Sequence, residues 1–273
     1  MIDQVITAPK QMSVEVGLAF AQKHQLGDEI PGFTEPWILD APDTHIAEWK
    51  QNLASLKGGL SLHGPVYDLN PVSWDTKIAE ISRLRYVQAA NVCKALGCRF
   101  LVVHSQFSPI FAAANVKDEW LAESVEYWKK FADEVLEDTP TLNVVIENFM
   151  EETPDLLRTL IDGIDHPQIK ACLDTGHANI FSPVSVNQWV DVLEHQLVYI
   201  HSHNNYGQTD EHRGYPYGTM DMESFLNHLV ISPYKLNLAL EIFNEPELKE
   251  SYTILQRYLT IQQEQLPEKT FLI

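Results

Sequence analysis

Residues 100–105 read Phe-Leu-Val-Val-His-Ser, an apolar run that stops on an imidazole. Four apolar residues without alternation suit a strand buried on both faces, the situation of a parallel sheet covered by helices. The same construction recurs on either side. Residues 59–64 (GLSLHG) bring His63 to the end of a run, and 143–149 (NVVIENF) bring Glu147. Residues 170–177 (KACLDTGH) bring Asp174 and His177, 198–204 (VYIHSHN) bring His201, and 238–243 (LALEIF) bring Glu241. Asp210 and His212 follow in the loop after His201. One chemically capable side chain per strand end is how a closed parallel barrel gathers residues distant in sequence into one pocket, on the face where such barrels carry their chemistry.

Helix-period segments separate these runs. The spacing predicts helices over 12–24, 44–56, 76–96, 118–136, 153–164, 185–194, 222–229 and 245–262. Strands are predicted over 4–8, 28–33, 60–64, 100–104, 143–148, 169–174, 197–201 and 236–242. Gly97 stands where a helix C-terminus wants a left-handed residue. Thr153 before Pro154 fits an N-cap ahead of proline at the first helical position. Eight strand–helix pairs with no dividing linker give a single (β/α)8 TIM barrel over 1–273. The first two strands have the poorest pattern. A doubly wound open sheet is the runner-up, but no GxGxxG follows the first strand. The segments 34–40 and 106–116 read as loops that shape the pocket, with Trp37 and Phe107 as an apolar wall or as plain packing.

Composition narrows the function classes. The chain carries 19 basic against 38 acidic residues, a formal charge of −19. Nucleic acid is disfavoured as a partner, because binding it depends on neutralising phosphates with Lys and Arg; bound cations would offset part of that charge locally. No run approaches the ~20 apolar residues of a membrane helix, and the N-terminus lacks a basic region followed by an apolar stretch. Cys93, Cys98 and Cys172 show no CxxC spacing, which reads as free thiols and a cytoplasmic protein. Cys172 reads as packing. Homo-oligomerisation stays open.

The segments LHGPVYDLN (62–70), VVIEN (144–148), CLDTGHAN (172–179) and IHSHNN…DEH (200–205, 210–212) together resemble the xylose isomerase-like TIM barrel superfamily. That group holds sugar-phosphate isomerases and epimerases and the endonuclease IV branch of abasic-site endonucleases. The resemblance spans roughly Leu60 to Phe243. It implies that Glu147, Asp174, His201 and Glu241 form a four-ligand metal site. It also implies that His63, His104, His177, Asp210 and His212 match the further ligands of a three-zinc cluster, with Glu147 bridging. His203 shares a strand face with His201 and is the alternative ligand there. So much imidazole favours zinc or manganese over magnesium, with one to three ions.

Two function classes follow. The first is a metal-dependent sugar or sugar-phosphate isomerase or epimerase, acting by proton transfer through a metal-stabilised enediolate. In it Glu147 and Glu241 are the catalytic acid–base pair and Arg213 a substrate-binding residue, with a surface arginine as the plainer reading. The second is an endonuclease IV-like zinc phosphodiesterase acting on abasic DNA. The full nine-ligand set supports it, and the charge and the single basic residue of the 204–214 loop oppose it. A lyase built on the same chemistry and a non-catalytic metal-bearing barrel remain behind these two.

Overall fold

The computed structural model describes residues 1–9 and 14–265. Eight parallel strands close into a barrel in sequence order: β1 (Ile2–Thr7), β2 (Gly27–Ile30), β3 (Leu60–His63), β4 (Phe100–His104), β5 (Asn143–Glu147), β6 (Ile169–Asp174), β7 (Leu197–Ser202) and β8 (Leu236–Leu240). β1 completes the ring by pairing with β8, Thr7 opposite Leu240. No helix among the described residues is long and apolar enough to cross a membrane.

Local chemistry sets the boundaries. The helix Thr76–Leu96 begins where the Asp75 side chain accepts from the Lys77 amide, and it ends at Gly97 with φ +74°, the conformation glycine adopts at least cost. Ser185 and Gln188 form a reciprocal capping box on the helix Val186–Leu193. Pro154 opens the helix Pro154–Ile164 as expected, yet the Thr153 side chain makes no capping hydrogen bond. The predicted 118–136 helix runs from Lys117 to Phe131 and closes in a wider π turn to Leu136. The start of the predicted 12–24 helix lies partly outside the described residues, which pick it up at Val14.

Three short helices stand where loops were expected or nothing was assigned: Pro36–Asp40, Pro109–Ala113 and Thr175–Phe181. β2 is also shorter than predicted. It stops at Ile30, before Pro31, a residue that cannot donate to a ladder. Trp37 is 70% exposed, whereas Phe107 is buried against Phe111 and Trp120. Phe107 is therefore packing and not a pocket wall. Cys93, Cys98 and Cys172 are free and buried.

Two hydrophobic cores result. The larger lies between strands and helices and holds Leu62, Leu101, Val103, Ile146, Leu173, Ile200 and Leu240. The smaller fills the barrel axis with Ile6, Ala8, Phe100, Val102, Val145, Cys172, Tyr199 and Ala239. Along β4 to β8 the two sets alternate, as the two-residue period of a β-strand requires.

Candidate metal and acid–base site

The strand period that fills the barrel axis also builds the site. Two residues beyond each inward-facing plug, the next inward side chain stands at the C-terminal mouth. Val102 is followed in this way by His104, Val145 by Glu147, Cys172 by Asp174, Tyr199 by His201 and Ala239 by Glu241. Ser61, hydrogen-bonded to Tyr199 across the axis, is followed by His63. The six end groups are buried, none more than 6% exposed.

Glu147 is central. Its Oε1 lies 3.2 Å from His201 Nδ1 and 3.3 Å from His177 Nδ1. Its Oε2 lies 3.5 Å from His104 Nε2 and 3.7 Å from His63 Nε2. His201 Nδ1 faces three carboxylates at once, Glu241 at 3.1 Å, Glu147 at 3.2 Å and Asp174 at 3.6 Å. Neither His201 Nδ1 nor Glu147 Oε2 makes a hydrogen bond of acceptable geometry. Three acids converging on one imidazole nitrogen in a buried space is costly without a cation to share. Trios of ligand atoms within 4.8 Å of one another include His63–His104–Glu147, Glu147–Asp174–His177, His63–His201–Glu241 and His203–His212–Glu241. The donor set thus fits one to three ions of the borderline kind that accept both imidazole and carboxylate.

The surrounding backbone holds these groups in place. The Asn148 amide spans β5 and β6, accepting from the Asp174 amide at 2.7 Å and donating to the Asp174 carbonyl at 3.1 Å. Asp174 caps the helix Thr175–Phe181, and its Oδ1 accepts from the His177 amide at 2.7 Å. His177 Nδ1 lies 3.0 Å from the Asn148 carbonyl, and its Nε2 lies 3.3 Å from Asp210. His63 Nδ1 is 2.9 Å from the Gly64 carbonyl, an arrangement that turns Nε2 toward Glu147. Asp210 and His212 arrive on a loop closed by the Asn204–Arg213 backbone pair. His212 Nε2 reaches Asp210 at 3.4 Å and Glu241 at 3.5 Å, and its ring stacks on Phe243 at 4.0 Å.

All nine ligand candidates therefore fall in one contiguous cluster. Arg213 is engaged within the protein. Its guanidinium is occupied by Glu247, with Nη2 at 2.7 Å and Nε at 3.2 and 3.1 Å, and it lies over the Tyr217 ring. It meets the final helix, Glu245–Gln265, and pins the loop that carries Asp210 and His212.

His201 and His203 both face buried carboxylates. His203 Nε2 lies 3.2 and 3.1 Å from the two Asp174 oxygens and 3.9 Å from Asp210. A Cβ on Gly176 would stand 2.0 Å from His203 Cε1, so only glycine lets that ring approach. Glu29 is a further buried acid at the site and escaped the sequence reading; its Oε2 lies 3.0 Å from His201 Nε2.

Electrostatics follow from this crowding. Burial favours neutral carboxyls, yet His201 and His104 hold Glu147 well below the usual range. Asp174 is likewise held well down, burial being overcome by His177 and His203. Burial works against a proton on His201, but Glu241, Glu29 and Glu147 raise it well above the ordinary imidazole value. His177 is raised in the same way, chiefly by Asp174 against its own burial. Burial pushes the Cys172 thiol up, leaving it protonated and a poor ligand.

Comparison with known proteins agrees with the barrel fold. A family model described as a xylose isomerase-like TIM barrel matches residues 16–260. An uncharacterised protein of Methanocaldococcus jannaschii is 26% identical over 216 residues, 76% of this chain and 72% of its own length. Among solved structures, a D-tagatose 3-epimerase-like protein superimposes with a TM-score of 0.81 at 21% identity, covering 97% of this chain and all of its own. A Thermus thermophilus protein soaked with zinc chloride gives 0.75 at 20% identity, covering 94% and 98%. An L-ribulose 3-epimerase gives 0.74 at 14% identity, covering 96% of both chains.

Proposed function

The chain belongs to the xylose isomerase-like TIM barrel family, and from that premise we propose that it is a metal-dependent isomerase or epimerase of a sugar or sugar phosphate. The observation that carries this reading is the placement of Glu147 and Glu241 at 3.2 and 3.1 Å from the same nitrogen of His201. Two carboxylates of different strands thus flank one point. With both carboxylates within reach of one site, one can serve as base and the other as acid toward a substrate bound there. The sugar-epimerase names of structural neighbours support the substrate class.

Glu147, Asp174, His201 and Glu241 would hold the principal cation, with His63, His104, His177, Asp210 and His212 available for others. A divalent ion there supplies Lewis-acid polarisation of a ketose carbonyl and its neighbouring hydroxyl. One of the two glutamates takes the proton from the carbon beside that carbonyl. The other returns a proton, to the opposite face for epimerisation or to the adjoining carbon for isomerisation. Asp174 and His177, fixed by Asn148, keep the groups in register and do not exchange protons with carbon.

The nine-ligand set also supports a second reading, phosphodiester cleavage of abasic DNA, against which the charge of −19 stands. One experiment separates the two. Metal-loaded protein is incubated in D2O with a panel of ketoses and ketose phosphates, and in parallel with an abasic duplex. Deuterium entering a substrate beside its carbonyl, lost in Glu147→Gln and Glu241→Gln, supports the proposal. Nicking of the duplex with no deuterium uptake replaces it with the second reading.

A further inference from the structure

The site contains a buried acid to which the proton-transfer scheme gives no task. Glu29 projects from β2 into the barrel, is 2% exposed, and sits opposite Ser61 in the β2–β3 register. Its Oε2 lies 3.0 Å from His201 Nε2 and accepts from the Tyr199 hydroxyl at 2.9 Å. The Tyr199 oxygen is in turn 2.7 Å from Ser61 Oγ. Tyr199 has a single hydroxyl proton and gives it to Glu29, so Ser61 is the donor in that second bond. Serine, tyrosine, glutamate and histidine form one chain anchored on β3, β7 and β2, and Glu29 cannot swing away without breaking two buried hydrogen bonds.

The geometry assigns a direction to this chain. Glu29 addresses Nε2 of His201, whereas Glu147, Asp174 and Glu241 address Nδ1. A neutral imidazole carries one proton, and the hydrogen bond made by one nitrogen decides which nitrogen is left with a lone pair. We propose that Glu29 is a positioning residue: it holds the His201 proton on Nε2 and the ring in the orientation that presents Nδ1 to the cation site. The inference rests on the reading above that these groups hold a cation. Glu29 itself meets the opposite edge of the ring from the other three acids and is not a further ligand at that point. A carboxylate partner of this kind also raises the donor strength of the ligating nitrogen, and its loss costs about 10–100-fold in metal affinity.

The test uses Glu29→Leu, which fills the space without an acceptor, and Glu29→Gln, which keeps an acceptor oxygen. Zinc affinity is read by calorimetry, and His201 by two-bond 1H–15N spectra of protein labelled at histidine. The expected result is a zinc affinity about 10–100-fold weaker in Glu29→Leu and largely recovered in Glu29→Gln. The zinc-loaded parent should show the His201 proton on Nε2 and the metal shift on Nδ1. A folded Glu29→Leu protein that binds zinc within about twofold of the parent overturns the proposal, as does a parent whose His201 proton is on Nδ1. If Glu29→Leu does not fold, the parent spectrum and Glu29→Gln decide by the same criteria. A parent that binds no zinc removes the metal reading and leaves Glu29 to be judged in the metal-free protein. There, at a pH where His201 is neutral, a shift of its proton from Nε2 to Nδ1 on Glu29→Leu supports the orienting contact, and an unchanged Nε2–H tautomer overturns it.

Discussion

Replacing Glu147 by glutamine should destabilise the metal-free protein in a pH-dependent way. Glu147 lies within 3.2–3.7 Å of nitrogens on His201, His177, His104 and His63. The imidazoles of His201 and His177 are raised well above 6.5, and the carboxyl is held well below 4.5. The carboxylate contribution is therefore present above about pH 4.5 and lost as pH falls through its depressed folded value. The imidazolium contributions are fully present below about pH 6.5 and lost as pH rises through the raised folded values. The favourable overlap runs from the acid range through neutrality. Removing one partner of a buried ion pair costs about 3–5 kcal/mol. Asp174 and Glu241 still face His201, so the lower figure applies, about 3 kcal/mol. At about 2 °C per kcal/mol for a chain of this size, the midpoint should fall by about 6 °C at pH 6–7. The deficit should shrink as pH rises above about 6.5 toward the raised imidazole values. Scanning calorimetry of chelator-treated parent and variant from pH 5 to 9 reads this directly. A variant that melts within a degree of the parent at every pH would refute the electrostatic account of the cluster.

Further consequences are as direct. Chelator treatment should abolish turnover, and zinc, manganese or cobalt should restore it; restoration by magnesium alone contradicts an imidazole-rich donor set. Zinc affinity should rise with pH through neutrality, because cation binding must displace protons that the surrounding acids hold on His201 and His177. Calorimetric titrations in buffers of different ionisation enthalpy should show proton release, and a pH-independent affinity would count against that. Gly176→Ala should cost about 1–3 kcal/mol and displace His203, since the new methyl would occupy ring space; unchanged stability together with an unchanged His203 resonance would contradict the packing.

The strand-end groups were legible because a parallel strand is apolar on both faces. His104 after Phe-Leu-Val-Val and Glu147 after Val-Val-Ile therefore stand out as the first polar residues. β2 lacked that contrast. Its four residues include Asp28 and Glu29 side by side, one facing Thr7 and the other the barrel axis, so the strand predicted over 28–33 has no apolar run to mark its ends. The helix Thr175–Phe181 was hidden for a different reason. Its sequence TGHANIF has no apolar stripe, and it forms because Asp174 caps it. His201 and His203 could not be ranked by alternation, which puts both on one face; the structure separates them by their different carboxylate partners. Arg213 next to His212 suggested a ligand contact. Its actual partner, Glu247, lies 34 residues further on in a helix, a pairing that local spacing does not encode.

Anomalous diffraction from a crystal soaked in zinc or manganese tests the central claim most directly. A metal peak should appear bounded by Glu147, Asp174, His201 Nδ1 and Glu241, at about 2.0–2.2 Å from each donor for zinc. A fully loaded crystal with its ions elsewhere, and those four side chains left as they stand, would contradict it.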